Sequence, residues 1–335
     1  MKKKNHPYPP FDFNFYIDTN VSFNQDYKRE DEFQSSVAFE NKDLFKFTPY
    51  IRGFCNICGK ESVFFCKNLI HPRDYLICMH CGSTSRYRSI ARGLIAALQD
   101  LTSVKIVSLA DLNTLDLGRK VTVYDTQLPF SLGIAAYPIP YFLSLSKNIN
   151  LYLSDFNCKK DRVGLNGEII SNQDLQKLKF ESGKFDIVIT SDVMEHVRLP
   201  NKAHAEISRV TKTGGYYIFT VPHFRHSKET YQLIKVHDES HPATDENLVE
   251  PVYHGDPNSG DGVIVYQVFG LDLDEELKKL YFDVDYTDQA FLELGIVGTE
   301  LFFCKKNEDH LSGKQHALSG SRSVKFSFLK RFFNL

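Results

Sequence analysis

The chain has 335 residues, 42% hydrophobic and 24% charged, with a formal net charge of −2. That is the composition of an ordinary globular protein, large enough to bury a core without disulfide staples. A near-neutral total gives no electrostatic pull toward nucleic acid, and no apolar run reaches the roughly 18 residues that would argue a membrane span.

The opening MKKKNHPYPPFDFNF is basic, but prolines and polar residues break any apolar stretch, so it does not read as a signal peptide. Residues 1–50 are rich in Asn, Asp, Phe and Tyr with poor periodicity, and are expected to form an irregular arm. Residues 51–100 carry two tight cysteine pairs, Cys55-x2-Cys58 and Cys78-x2-Cys81, followed by a helical stretch SIARGLIAALQ. Each pair folds two thiolates onto one side of a turn, and two such turns complete a tetrahedron around Zn²⁺. Gly59 and Gly82 supply the backbone freedom just after each pair. Four thiolates leave no open position, so the zinc is expected to be structural. Paired cysteines of this kind suit a reducing compartment, and the protein is expected to be cytoplasmic. Cys66, Cys158 and Cys304 read as plain thiols. Arg86, Arg88 and Arg92 follow the second pair; a phosphate contact is one reading, and a solvated helix face is the simpler expectation.

Residues 104–306 alternate strand-like apolar runs with helical patterns, the signature of a βαβ domain. LDLG at Leu115–Gly118 fails as a cofactor loop, because VTVYD follows too soon for a crossover helix. Val121–Asp125 is therefore the first strand. A helical segment over Ser131–Ser146, interrupted near Pro138 and Pro140, leads to the second strand, INLYLSDF, which ends in Ser154 and Asp155. Asp155 lies 22 residues after Gly133, the position at which an acid at the end of a second strand takes ribose hydroxyls. NQDLQKLKF, with Asp174, precedes the fourth strand, Asp186–Thr190. Ser191, Asp192, Glu195 and His196 come just past that strand. A helix over about Lys202–Val210 and the strand GGYYIFTVP follow. The insertion His223–Gly270 comes next, then the helix LDEELKKLY and the strands FDVDYTD and ELFFCKK.

NQDLQKLKFESGKFDIVITSDVMEHV, then a helix, then ISRVTKTGGYYIFTVP, resembles the class I S-adenosylmethionine-dependent methyltransferases, and within them the methyltransferase type 11 branch. The resemblance implies an α/β fold: a Rossmann-like sheet with helices on both faces, here preceded by a small zinc-binding module. It also implies S-adenosylmethionine as cofactor, with Asp155 on the ribose, Asp174 beside the adenine, and Ser191 and Asp192 flanking the methionine portion and substrate mouth. Asp125 stands at the usual acidic start of the first loop, and Glu195 and His196 would open the following helix. The loop itself, DTQLPFSLG, departs from the family in having Gly133 alone, so Thr126, Gln127 and the backbone of 131–133 would have to hold the cofactor differently. A knuckle region with CGSTSRYR and a late EPVYHGDP resembles bacterial methyltransferases that accompany glycan biosynthesis, which implies O-methylation of a glycan or its precursor.

A hydroxyl acceptor needs a base; His223 after the fifth strand, or Asp192 after the fourth, stands at the correct edge. The loop VEPVYHGDPNSGDG reads as a substrate lid, with Glu250, His254 and Asp256 as candidate contacts for sugar hydroxyls. Residues 307–335 form a basic, aromatic tail that would suit peripheral contact with an anionic membrane. Two other functions fit the sequence less well: an RNA methyltransferase using the zinc module to hold substrate, and a non-catalytic zinc-containing binding protein on the same fold.

Overall fold

The computed structural model describes residues 50–68, 71–128, 131–132, 135–154, 156, 161–164, 166–224, 227–254 and 262–308. The N-terminal arm, the C-terminal tail, Gly133, Asp155, Cys158 and Asp256 lie outside them.

The cysteine region builds a three-stranded antiparallel sheet from β1 (Tyr50–Cys55), β2 (Lys60–Cys66) and β3 (Leu76–Cys78), with a single-turn helix α1 (Pro72–Tyr75) between β2 and β3. Gly59 and Gly82 both take φ +70°, and their N–H groups close onto the Cys55 and Cys78 carbonyls at 2.9 Å. A side chain at either position would be strained in that left-handed region. Helix α2 (Ser85–Thr102) follows directly, its Thr84 cap accepting from the Tyr87 N–H.

The central sheet has eight strands: β4 (Val121–Asp125), β5 (Ile149–Ser154), β6 (Arg162–Val163), β7 (Ile169–Ser171), β8 (Phe185–Ser191), β9 (Thr211–Thr220), β10 (Phe282–Thr287) and β11 (Leu301–Lys306). Their spatial order is β10-β11-β9-β8-β4-β5-β7-β6. The strands β9, β8, β4, β5 and β7 run parallel; β11 is antiparallel to both β9 and β10, and β6 to β7. Every residue of β8 is buried, as a central parallel strand covered on both faces requires. The one acid inside it, Asp186, is neutralised by Arg119 at 2.6 Å and Lys212 at 3.0 Å, and accepts from the Thr122 N–H at 2.8 Å.

Helix α2 covers one face. Gly93 lets it approach closely: a Cβ there would lie 3.1–3.4 Å from Leu301, Ile218 and Phe303. The other face is covered by α4 (Pro200–Val210) and α5 (Asp272–Lys279), through Ala203, Ile207, Leu273 and Leu277. The core under α2 is continuous with the cysteine region, so Phe64 and Leu76 belong to the same cluster as Val123, Ile187 and Ile218.

Three expectations are corrected. The segment 131–146 is not one helix: Ser131–Leu132 pairs with Ala135–Ala136, and α3 spans only Ile139–Ser144. Pro138 and Pro140 are tolerated at a helix start and nowhere further in, which fixes where it can begin. Glu195 and His196 do not open α4; they sit in a 3₁₀ turn, Met194–His196, and the helix begins at Pro200. The solvated arginine face is wrong as well: Arg88 is fully buried and Arg92 is 5% exposed.

Arg88 is a tie between three parts of the chain. Its guanidinium donates to the carbonyls of Ser83, Leu76 at 2.9 Å, Leu294 at 3.0 Å and Gly295 at 2.6 Å, and lies 4.2 Å over the Phe64 ring. The five donors of a guanidinium match this set, which no lysine could satisfy. Arg88→Met keeps the apolar stem but leaves these buried carbonyls without a donor. It should cost about 3 kcal/mol or more in denaturant unfolding, whereas exposed Arg52→Met should change stability little.

Candidate functional site

In an open α/β sheet a ligand binds outside the carboxyl ends of the strands, where the winding reverses. Here the chain winds from β4 outward through β5 and β7, then returns to β8 and winds the other way through β9, so the reversal lies between β4 and β8. Asp125 ends β4; Ser191 ends β8 and Asp192 follows it.

Asp125 is fully buried and accepts from Tyr137 Oη at 2.6 Å and the Gln127 N–H at 3.1 Å. Burial pushes its carboxyl up to about 7, and those two bonds pull it back only in part. The next residues cross to the neighbouring strand: the Thr126 N–H donates to the Ile189 carbonyl at 3.1 Å and Gln127 Nε2 to the Ser191 carbonyl at 2.8 Å. Among the described residues, Thr126 Oγ1 and Gln127 Oε1 are buried at this edge with no hydrogen-bond partner. Buried polar atoms are almost always satisfied, so two orphans on the loop that should approach a cofactor fit a polar ligand there.

Asp192 takes φ +49°, a strained conformation that Asp tolerates better than most residues. Arg73 grips its carboxylate with both Nη atoms at 2.7 Å, Arg86 Nη1 adds a contact at 2.7 Å, and Thr220 Oγ1 donates at 2.8 Å. Burial alone would push this carboxyl up; the two guanidiniums overcome that and hold it far below the usual carboxylate range. Both arginines make further ion pairs, Arg86 with Asp74 at 2.8 Å and Arg73 with Glu300 at 3.1 Å. Arg86 also reaches Ser191 Oγ at 3.2 Å. An acid so committed is a poor proton acceptor, which counts against Asp192 as a base and makes it a strut at the mouth of the crevice.

The other expected residues lie apart from this cluster. Asp174 follows β7 and turns back on its own loop, accepting from the Gln176 N–H and Nε2 at 2.9 and 3.1 Å. His223 is buried beyond β9, its Nε2–H donating to the Gly270 carbonyl at 3.1 Å and its ring packed against Tyr286 and Phe302. In its neutral form, only Nδ1 then remains as an acceptor. Arg73, Asp74, Tyr137 and Glu300 were not picked out from the sequence. Only Arg86, in CGSTSRYR, carried any signal, and it was outweighed by a charge pattern that also fits a wet helix face.

In the cysteine region the four Sγ atoms of Cys55, Cys58, Cys78 and Cys81 lie within 4.8 Å of one another. Cys55–Cys81 is 3.8 Å and Cys58–Cys78 is 3.9 Å. A tetrahedral zinc with Zn–S near 2.3 Å has S···S edges of about 3.8 Å, the separation at which these two pairs stand.

Asp125 gives this site a pH dependence. Its carboxyl sits near 3.8 when unfolded and about 7 when folded, so the folded state binds the extra proton. The stability it contributes is fully present below pH 4 and is lost as pH rises toward 7. Compared with Asp125→Asn in parallel unfolding titrations, wild type should lose on the order of 4 kcal/mol over that window. Parallel curves for the two proteins would refute the assignment.

Residues 148–219 match the Methyltransf_11 family, a methyltransferase domain. No curated protein matches the sequence. Among solved structures, a Methanosarcina mazei S-adenosylmethionine-dependent methyltransferase is 18% identical over 58% of this chain and 96% of its own, with a TM-score of 0.37. The Burkholderia thailandensis 1,6-didemethyltoxoflavin-N1-methyltransferase, with bound 1,6-didemethyltoxoflavin and S-adenosylhomocysteine, is 13% identical over 67% and 90%, with a TM-score of 0.36. A Mesorhizobium loti S-adenosylmethionine-dependent methyltransferase is 11% identical over 58% and 94%, also with a TM-score of 0.36. Residues 148–219, which run from the start of β5 to the end of β9, thus match a methyltransferase domain, and they lie in an open α/β sheet whose winding reverses between β4 and β8.

Proposed function

We propose that the protein transfers a methyl group from S-adenosylmethionine to a hydroxyl oxygen of a glycan or glycan precursor, and that its four cysteines hold a structural zinc. The observation carrying the cofactor site is the pair of orphaned buried atoms, Thr126 Oγ1 and Gln127 Oε1, beside Asp125 at the β4–β8 reversal. Polar side chains here take the place of the usual glycines. On this reading Asp125, Thr126, Gln127, Gly133 and the Ser191–Asp192 edge surround the methionine portion, with Asp155 on the ribose and Asp174 near the adenine.

When bound, the cofactor supplies an already activated methyl group on a sulfonium. The chain's task is then to align the acceptor oxygen, exclude water and take up a proton. The Arg73–Asp192–Arg86 cluster fixes one wall of the mouth. His223 Nδ1 is the proposed proton acceptor. The insertion 223–270, with Glu250 and His254, stands at the same edge and supplies the polar groups suited to an acceptor rich in hydroxyls. The net charge of −2 favours such an acceptor over RNA.

Calorimetric titration with S-adenosylmethionine and S-adenosylhomocysteine should show binding at one site per chain, weakened at least tenfold in Gln127→Leu and in Asp155→Ala. A folded, zinc-loaded sample that takes up neither compound would overturn the reading and leave a binding protein on this fold.

Elemental analysis should find zinc at the four cysteines, lost in Cys78→Ser. Chelation should lower the melting temperature by several degrees, since the same core continues into the sheet. A metal-free sample that melts unchanged would remove the structural role.

A further inference from the structure

Glu195 is fully buried, and among the described residues neither Oε1 nor Oε2 has a hydrogen-bond partner. A carboxyl buried away from water needs a proton or a positive partner to be tolerated. What faces it is two imidazoles. His196 Nε2 lies 3.7 Å and His254 Nδ1 3.8 Å from Glu195 Oε1, and the two rings are 4.9 Å apart at 86°.

The His196 ring is held in one sense. Its Nδ1 lies 2.8 Å from the Ile264 carbonyl, which only accepts, so Nδ1 carries the hydrogen and Nε2 turns a lone pair toward the carboxylate. The Nε2 lone pair and the carboxyl oxygen face each other at 3.7 Å, a gap that a shared proton or a bound cation can fill. A histidine anchored through its second nitrogen to a backbone carbonyl is the usual support of a metal ligand.

The surroundings make the cluster rigid. The 3₁₀ turn carrying Glu195 and His196 is strapped by the insertion: the Tyr266 N–H donates to the Glu195 carbonyl at 2.8 Å, and Gln267 Nε2 to the carbonyls of Met194 and Val197 at 2.9 and 3.2 Å. His254 arrives on the Tyr253–His254 strand, paired with Val263–Ile264, the strand that also anchors His196. Three ligand atoms from two segments thus lie within 4.8 Å of one another.

We propose that Glu195, His196 and His254 form a second metal site, for a divalent first-row transition cation, separate from the four-cysteine cluster. One carboxylate and two imidazoles suit such an ion better than Ca²⁺ or Mg²⁺, which prefer all-oxygen shells. Three protein ligands leave coordination positions open, unlike the closed set of four thiolates. The site does not depend on which acceptor is methylated, and its test involves no turnover.

The test is Co²⁺ titration of protein carrying zinc at its four cysteines, followed by visible absorption and by metal analysis after gel filtration. Wild type should take up one Co²⁺ per chain, with weak visible bands and without the intense near-ultraviolet absorption of cobalt thiolate. Zn²⁺ should compete for the same site. His254→Ala, at a partly exposed position, and Glu195→Gln should each weaken binding at least tenfold. Glu195→Gln also removes the buried charge, so a stable fold is expected; if that variant fails to fold, His254→Ala decides. No uptake of Co²⁺ or Zn²⁺ beyond the four-cysteine complement, or uptake unchanged in the variants, overturns the proposal.

Discussion

A carboxylate at the end of a central strand must meet positive charge, and Asp192 meets it from 119 residues earlier in the chain. Arg73 and Arg86 come from the short helix after β2 and from the first turn of α2, and both converge on this one acid. Breaking one partner of such a pair leaves an uncompensated buried charge, which is far more costly than never having had the pair. The cluster therefore fixes how the cysteine region sits on the sheet. The mouth of the β4–β8 crevice is built from both parts of the chain, and a change in either is felt at the site.

Arg88 extends the same logic into the interior. Its buried charge lies near four sulfurs, and a zinc held by four thiolates carries net negative charge. Burial disfavours the guanidinium, and the neighbouring cysteines offset part of that penalty. The cysteine cluster, Arg88 and the loop at Leu294–Gly295 are thus linked: the sulfurs favour the arginine, and the arginine bonds the carbonyls of both the cysteine region and that loop.

The opposite side of the crevice is organised by the insertion. It is threaded back onto the turn after β8, so the polar groups at that edge are held by backbone bonds to Glu195 and by the Gln267 side chain. A long connection in this fold has become part of the wall. Among the described residues no helix lies between β5 and β8, while α2, which precedes the first strand of the sheet, supplies the cover that one face requires.

The linear sequence determined much of this. The continuous apolar run of β8 can only be a strand buried on both faces, and its neighbours follow from similar runs. The cysteine spacing predicts two turns, and the structure brings their four sulfurs together. Asp125 and Asp192 were legible because acids at strand ends have few other reasons to be there. The partners of those acids were decided by tertiary structure alone. Arg86, Arg88 and Arg92 sit at helical spacing and read as a wet face, because sequence periodicity records charge but not what lies opposite. Arg73, Tyr137, Glu300 and the meeting of Glu195 with His254 depend on contacts between segments far apart in the chain. Such contacts form only once the sheet has closed and water has left, and it is that loss of water that makes each charge seek the one partner within reach.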